Sequence, residues 1–557
     1  MSNEHLPGAV PWPAELAQRW RAAGYWTGQT FADMLDEQAD RNGDRVAIVE
    51  GSGRTTYRQL RERARSLAAG LYRLGLRRED RVVVQLGNVT GFFEVCFALY
   101  TIGALPVFAL PAHRASELGQ FIGHSQARAL IIAERNGRED LRATAEHLRE
   151  QAARPLHVLV AGSAAGHDGL LELSEHYLPG AHAERLLADV PRPAADEVAF
   201  LQLSGGSTGL PKLIPRTHDE YLYTLRESAR ICGLDAQTRY LAVLPVAHNY
   251  PMSSPGCFGV FTVGGQVVLA DGGEPDEAFG LIAEEQVTIA ALVPPLALVW
   301  AAADRRGRDL SSLQVVQVGG APFAPSAARR VTAAFPDATL QQVFGMAEGL
   351  VCYTRLDDPA ERIWHTQGRP ISPDDELLIV DDADEPVPPG EPGHLLTRGP
   401  YTIGGYYRAE AHNRAAFTAD GYYRTGDIVS VDPSGYVRVL GRAKDQINRG
   451  GEKIAIEEVE NLLLAHPDVH DAALVGMPDD LLGERACAFL VPRPDADLTR
   501  RTVLAYLRGR GVAAFKIPDR VVVVDAFPET GVGKTSKREL RALIREQLLT
   551  TSSRSNT

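Results

Sequence analysis

Short apolar runs alternate along the chain with longer stretches in which apolar residues recur every three to four positions. RVAIVE, RVVVQLG, LPVFAL and ALIIA have strand length and β-branched or apolar composition. Between them, TYRQLRERARSLAAGLYRLGL and FFEVCFALYTIGA carry helical spacing. This alternation predicts α/β architecture with largely parallel sheets. It resumes in AFLQLS, RYLAVLP, GQVVLA, TIAALVP and LQVVQVGG, which predicts a second sheet in the same large unit. The longest apolar run, VTIAALVPPLALVWAAA (287–303), is interrupted by Pro294 and Pro295. It reads as a buried strand followed by a helix opened by proline, and is too short and broken for a membrane span.

From about 370 to 440 the pattern changes to Gly, Pro and Asp with short strands, ELLIVD, GHLLTRG and GYVRVLGR, as expected of a small β-rich subdomain. After GRAKDQINRGGEK it changes again. EEVENLLLAHP and LTRRTVLAYLRGRG read as helices, and DAALVGMP, RACAFLVP and VVVVDAF as strands, making a compact α+β unit of about 100 residues. The expected division is a core over 1–441, whose last part (about 370–441) is β-rich, a second unit over 442–548, and a frayed polar tail over 549–557.

Composition narrows the partners. The 557 residues are 45% hydrophobic and 23% charged, ordinary for a soluble globular protein. A net charge of −13 disfavours nucleic acid, although a local pocket on an acidic protein can still be positive. Cys96, Cys232, Cys257, Cys352 and Cys487 are scattered and odd in number, with neither metal-site nor disulfide-framework spacing. The N-terminal stretch has no basic segment followed by an apolar one, so a cytoplasmic protein without a membrane partner is expected.

Two glycine-rich stretches carry candidate chemistry. In LSGGSTGLPKLIPRTH (203–218) a strand runs through Ser204 into Gly205, Gly206, Ser207, Thr208 and Gly209, and Lys212 follows. Glycines admit close backbone approach, and successive N–H groups with two hydroxyls and a lysine suit an anion; the alternative is a plain surface turn. In PETGVGKTSKREL (528–540), GVGKT looks like the end of a P-loop. The register fails, because the first glycine of that motif would fall on Pro528, which has no N–H to offer a phosphate. Only 22 residues follow Thr535, too few for the further strands of such a fold.

SGGSTGLPK, FGMAEG (344–349), YRTGD (423–427), GRAKDQINRGGEK (441–453) and GVGK (531–534) together resemble the ordered motif series of the adenylate-forming superfamily of acyl-CoA synthetases, luciferases and nonribosomal adenylation domains. The resemblance runs over nearly the whole chain. It implies a large N-terminal domain of two α/β sheets plus a β-rich subdomain, with a small mobile α+β C-terminal domain. It implies ATP and Mg²⁺. Ser204 and the loop 205–209 would hold the ATP phosphates with Lys212 nearby, and Glu348 would ligate Mg²⁺. Asp427 would take both ribose hydroxyls, backed by Arg442. Gly319, Gly320 and Ala321, with Val343, Phe344 and Gly345, would surround the adenine end of the nucleotide. Lys534 would be the mobile catalytic lysine that bridges the substrate carboxylate and the α-phosphate. Lys444 falls at the hinge, where the superfamily usually has Asp. Rotation there would exchange Lys534 for Gly450 and Gly451, which would line a tunnel for a pantetheine thiol.

LPVAHNYPMSSPG (244–256) narrows the acid. Amino-acid-activating members carry an Asp where this chain has Asn249, and a neutral amide cannot compensate a buried ammonium. With QQVFGMAEGLV the segment resembles the aryl-acid ligases of siderophore synthesis that act on 2,3-dihydroxybenzoate. In those, Asn249 would bond the 2-hydroxyl and Ser254 the 3-hydroxyl, with Tyr250, Gly320, Val343 and Val351 as walls. His248 would gate the approaches, or would simply be a bonded pocket histidine. Cys352 stands where such enzymes carry Asn, which keeps salicylate, 3-hydroxyanthranilate and 3-hydroxypicolinate open. The implied acceptor is an aryl or peptidyl carrier protein supplied in trans, with coenzyme A as the alternative. An inactive regulatory adenylate-binding module is a further alternative, against which stand Glu348, Asp427, Arg442 and Lys534, all present.

Overall fold

The computed structural model describes residues 6–554 apart from 205–211, 321–322, 324, 382, 443–445, 495, 497 and 529–536. The chain forms a large N-terminal α/β domain and a small C-terminal domain. Two sheets dominate the first. One has seven strands and is built around Arg81–Gln85, Leu105–Phe108, Ala129–Ala133 and His157–Ala161, paired in parallel, with Val198–Ser204 and the antiparallel Lys212–Thr217 at one edge. The other has nine, with Arg239–Ala242, Gln266–Leu269, Ile289–Leu292, Val315–Gly319 and Thr339–Gly345 in parallel and Val351–Tyr353 returning antiparallel.

One continuous core joins the inner faces of both sheets through the helices between them, Tyr57–Leu74, Thr90–Ile102 and His218–Ile231 among them. Thr90–Ile102 is apolar on nearly every side because it lies in that middle layer. The outer faces are covered by Pro275–Glu285 and Pro294–Ala302 on one sheet and by Ala115–Ser125 and Arg142–Gln151 on the other. The 287–303 run divides as its prolines dictate, into the strand Ile289–Leu292 and a helix beginning at Pro294.

Four antiparallel strands, Glu376–Val380, Gly393–Arg398, Tyr423–Val431 and Val437–Arg442, make a separate sheet. Gln446–Arg449, Glu452–Ala455, Val469–Asp479, Gly483–Pro492 and Arg520–Val523 make the five-stranded sheet of the small domain. Its last helix, Lys537–Arg554, runs into the segment expected to fray. Thr and Ser cost a helix only a few tenths of a kcal/mol each, and neither Gly nor Pro intervenes to stop it. No helix among the described residues is long and apolar enough to cross a membrane.

Candidate active site

A cavity of about 220 Å³ opens where the strand ends of the large domain meet the small domain. Ser204 and Gln202 reach it from one sheet, Gly320, Val343 and Gly345 from the other. Strand Val198–Ser204 pairs antiparallel with Lys212–Thr217, with Ser204 and Lys212 directly opposite each other. Gly205, Gly206, Ser207, Thr208 and Gly209 between them lie outside the described residues, as do Ala321, Lys444 and Lys534.

Gly319 has to be glycine. A Cβ there would lie 2.7 Å from the Val343 carbonyl oxygen and 3.3 Å from the Tyr250 ring. Gly320 adopts φ +85°, which turns the chain out of the strand beneath the cavity. On Thr339–Gly345, Val343 and Gly345 face the cavity, whereas Phe344 projects from the opposite face and packs with the cluster around Ile214 and Tyr406. Phe344, expected beside the nucleotide, is therefore not part of this wall, because strand alternation sends it to the other side.

Glu348 is buried and lines the cavity, and its Oε1 accepts a 2.8 Å hydrogen bond from Tyr406 Oη. Tyr406 also meets Tyr423 Oη at 2.9 Å, and Lys212 Nζ lies 5.1 Å from the centre of the Tyr406 ring. Burial and the neighbouring Glu348 charge push the Tyr406 phenol well up, so it stays a donor to the carboxylate. A buried carboxylate held this way fits Mg²⁺, which takes one or two protein oxygens and completes its shell with phosphates and water. Among the described residues no cluster of three or more His, Cys, Asp or Glu side chains forms an all-protein metal site. Asp427 is buried on Tyr423–Val431 and pairs in register with Arg442 of the next strand, Val437–Arg442, which brings the two motifs side by side.

Another part of the cavity wall is built on the short helix Asn249–Ser253. His248 caps it, its Nδ1 accepting from the Tyr250 N–H at 3.3 Å. His248, Asn249, Tyr250 and Ser254 all line the cavity. Asn249 Oδ1 accepts from Tyr221 Oη at 2.8 Å. Val351 is buried opposite Gly345, behind the wall. Cys352 faces away, packed with Ile214, Met346 and Tyr406, and does not line the cavity.

The small domain closes one side. Gly450 and Gly451 form the turn between Gln446–Arg449 and Glu452–Ala455, at φ +60° and +94°, and Gly451 lines the cavity. A Cβ on Gly451 would sit 3.1 Å from Val293 of the large domain. Beside the turn, buried Lys516 reaches Glu458 at 2.8 Å and Glu117 of the large domain at 3.3 Å. Burial pushes the Glu452 and Glu458 carboxyls up, opposed by Lys516. His113, whose Nδ1 accepts from Leu110 N–H at 2.9 Å, is pushed down to about 3 by burial and stays neutral.

Sequence reading missed Gln202, Tyr221, His113, Glu117 and Lys516. Gln202 and Tyr221 read as ordinary core-face positions. The one available signal for Lys516 is a lysine set among apolar residues in AAFKIP.

A two-domain α/β fold whose interdomain cavity gathers Asn249, Glu348 and Gly451 fits an adenylate-forming class of enzyme. The chain belongs to the AMP-binding enzyme family: that family's model matches residues 35–407, and the model of the AMP-binding enzyme C-terminal domain matches 458–534. It is 57% identical to the 2,3-dihydroxybenzoate-AMP ligase of Bacillus subtilis over 98% of this chain and 99% of that one. It is 50% identical to the vibriobactin-specific 2,3-dihydroxybenzoate-AMP ligase of Vibrio cholerae, over 96% and 97%. The apo structure of Mycobacterium smegmatis MbtA superposes with a TM-score of 0.73 at 44% identity, covering 96% of this chain and 99% of that one.

Proposed function

We propose that this chain activates 2,3-dihydroxybenzoate with ATP and Mg²⁺, then passes the aryl group to the phosphopantetheine thiol of a carrier protein in trans, as in siderophore assembly. The observation that carries the reading is that Asn249, Ser254, Glu348 and Gly451 all line one cavity.

In the first half-reaction a carboxylate oxygen attacks the α-phosphorus, the bond to the bridging oxygen breaks, and pyrophosphate leaves. Negative charge grows at the α-phosphate, where Lys534 would act, with Lys212 and the loop 205–209 on the departing phosphates. Mg²⁺, held by Glu348, would neutralise phosphate charge. Asp427 would accept both ribose hydroxyls, since one carboxylate takes two such bonds. In the second half-reaction the thiol sulfur attacks the acyl carbon, the acyl–phosphate oxygen bond breaks, and AMP leaves. Rotation about Lys444, between units dividing at 441/442, would bring Gly450 and Gly451 to the thiol's approach. The arrangement with Gly451 at the cavity suits this second step.

Pyrophosphate–ATP exchange tests the reading. Exchange dependent on 2,3-dihydroxybenzoate is expected; exchange without added acid, or none with any hydroxybenzoate, would overturn it.

A further inference from the structure

Asn249 does not stand alone. Its Oδ1 accepts from Tyr221 Oη at 2.8 Å, and Ser253 Oγ shares its proton between the Asn249 carbonyl oxygen at 2.9 Å and Oδ1 at 3.3 Å. Behind Tyr221, Gln202 Nε2 donates to Tyr221 Oη at 3.4 Å. Gln202 fills the acceptor side of the Tyr221 hydroxyl, so the Tyr221 proton points to Asn249 Oδ1, and the Asn249 NH₂ is what remains to face the cavity. Burial pushes the Tyr221 phenol up to about 12, so the donor persists at working pH. The Tyr221 ring is held in place by Phe200, 4.7 Å away edge-on, and by the Arg216 guanidinium at 4.9 Å.

We propose that Gln202 and Tyr221 are positioning residues that lock the Asn249 amide with its NH₂ toward the acid, so that the pocket admits an ortho substituent able to accept a hydrogen bond and rejects an ortho-amino group. This deepens the hydroxybenzoate reading and rests on it. An ortho-hydroxyl gives its proton to its own carboxylate and offers an oxygen lone pair to the Asn249 N–H. An ortho-amino nitrogen delocalises its lone pair into the ring and presents a second N–H, so two donors would meet without an acceptor between them.

The test compares kcat/KM in pyrophosphate exchange for salicylate, anthranilate and benzoate in the wild type, Tyr221→Phe and Asn249→Asp. Benzoate has no ortho group, so a loss of packing lowers all three acids alike. In Tyr221→Phe the amide is free to turn, and the salicylate-to-anthranilate ratio is expected to fall about tenfold while benzoate is little changed. Asn249→Asp, an acceptor only, is expected to move the ratio further toward anthranilate. A ratio in Tyr221→Phe within about twofold of wild type, with benzoate intact, overturns the proposal, as does an equal fall for all three acids. A wild type that exchanges with none of these acids, nor with 2,3-dihydroxybenzoate, overturns the underlying reading as well.

Discussion

Lys516 of the small domain places its ammonium 3.3 Å from the Glu117 carboxylate of the large domain, and both side chains are almost fully buried, at 11% and 3% exposed. The Ala513 N–H adds a second bond to the same Glu117 oxygen at 3.2 Å. These contacts belong to the domain placement in which Gly451 lines the cavity. Lys516 keeps Glu458 at 2.8 Å when Glu117 is neutralised, so the loss is that of one charge-assisted bond across the domains, about 1.5–3 kcal/mol. Glu117→Gln is therefore expected to slow thioester formation from pre-formed aryl adenylate by at least about tenfold, while pyrophosphate exchange changes by less than about threefold. Equal losses in both half-reactions would show that the contact does not favour one domain placement.

The opposite split is expected for Lys534→Ala. Loss of a charge-stabilising group aimed at the transition state costs about 10²–10³ in rate. Aryl-adenylate formation should fall by that factor, whereas transfer from supplied aryl adenylate to the thiol should persist. Adenylation at the wild-type rate would remove Lys534 from the chemistry.

A smaller discrimination is expected at Ser254, which lines the same cavity. One neutral hydrogen bond is worth about 0.5–1.5 kcal/mol net, up to roughly tenfold. Salicylate should be accepted more weakly than 2,3-dihydroxybenzoate, and Ser254→Ala should bring their kcat/KM values to within about threefold. Salicylate ahead in the wild type would contradict the assigned acid.

Stability has its own pH signature. Asp375 is buried, accepts from Tyr401 Oη at 2.6 Å and from the Ser372 N–H at 3.1 Å, and is pushed up from 3.8 to about 8 by burial. Its folded-state value lies above the unfolded one, so between about pH 4 and 8 the folded chain keeps a proton that the unfolded chain has released. Stability from this group is greatest at the acid end and falls as pH rises through that window. Asp375→Asn keeps the acceptor and removes the titration. Denaturant melts should show the variant gaining on wild type by on the order of 2–4 kcal/mol between pH 5 and 8; a parallel pH course in both would exclude Asp375 as the cause.

Much of this protein was legible along the chain. Strand and helix periodicity placed RVVVQLG, ALIIA and the split at Pro294, because local pattern encodes which face of an element is buried. Motif order pointed to Glu348 and Asn249, which the fold brings to one cavity, because residue types at fixed offsets from turns and strand ends can be read along the chain. Tertiary structure alone decided the rest. Phe344 and Cys352 turn away from the cavity because each strand sends alternate side chains to opposite faces, and only the packing says which face the site occupies. The bonds from Tyr221 to Asn249 and from Lys516 to Glu117 join segments whose spacing carries no periodic signal. Such contacts arise from the docking of one element on another, and no local pattern of apolar and polar residues records that.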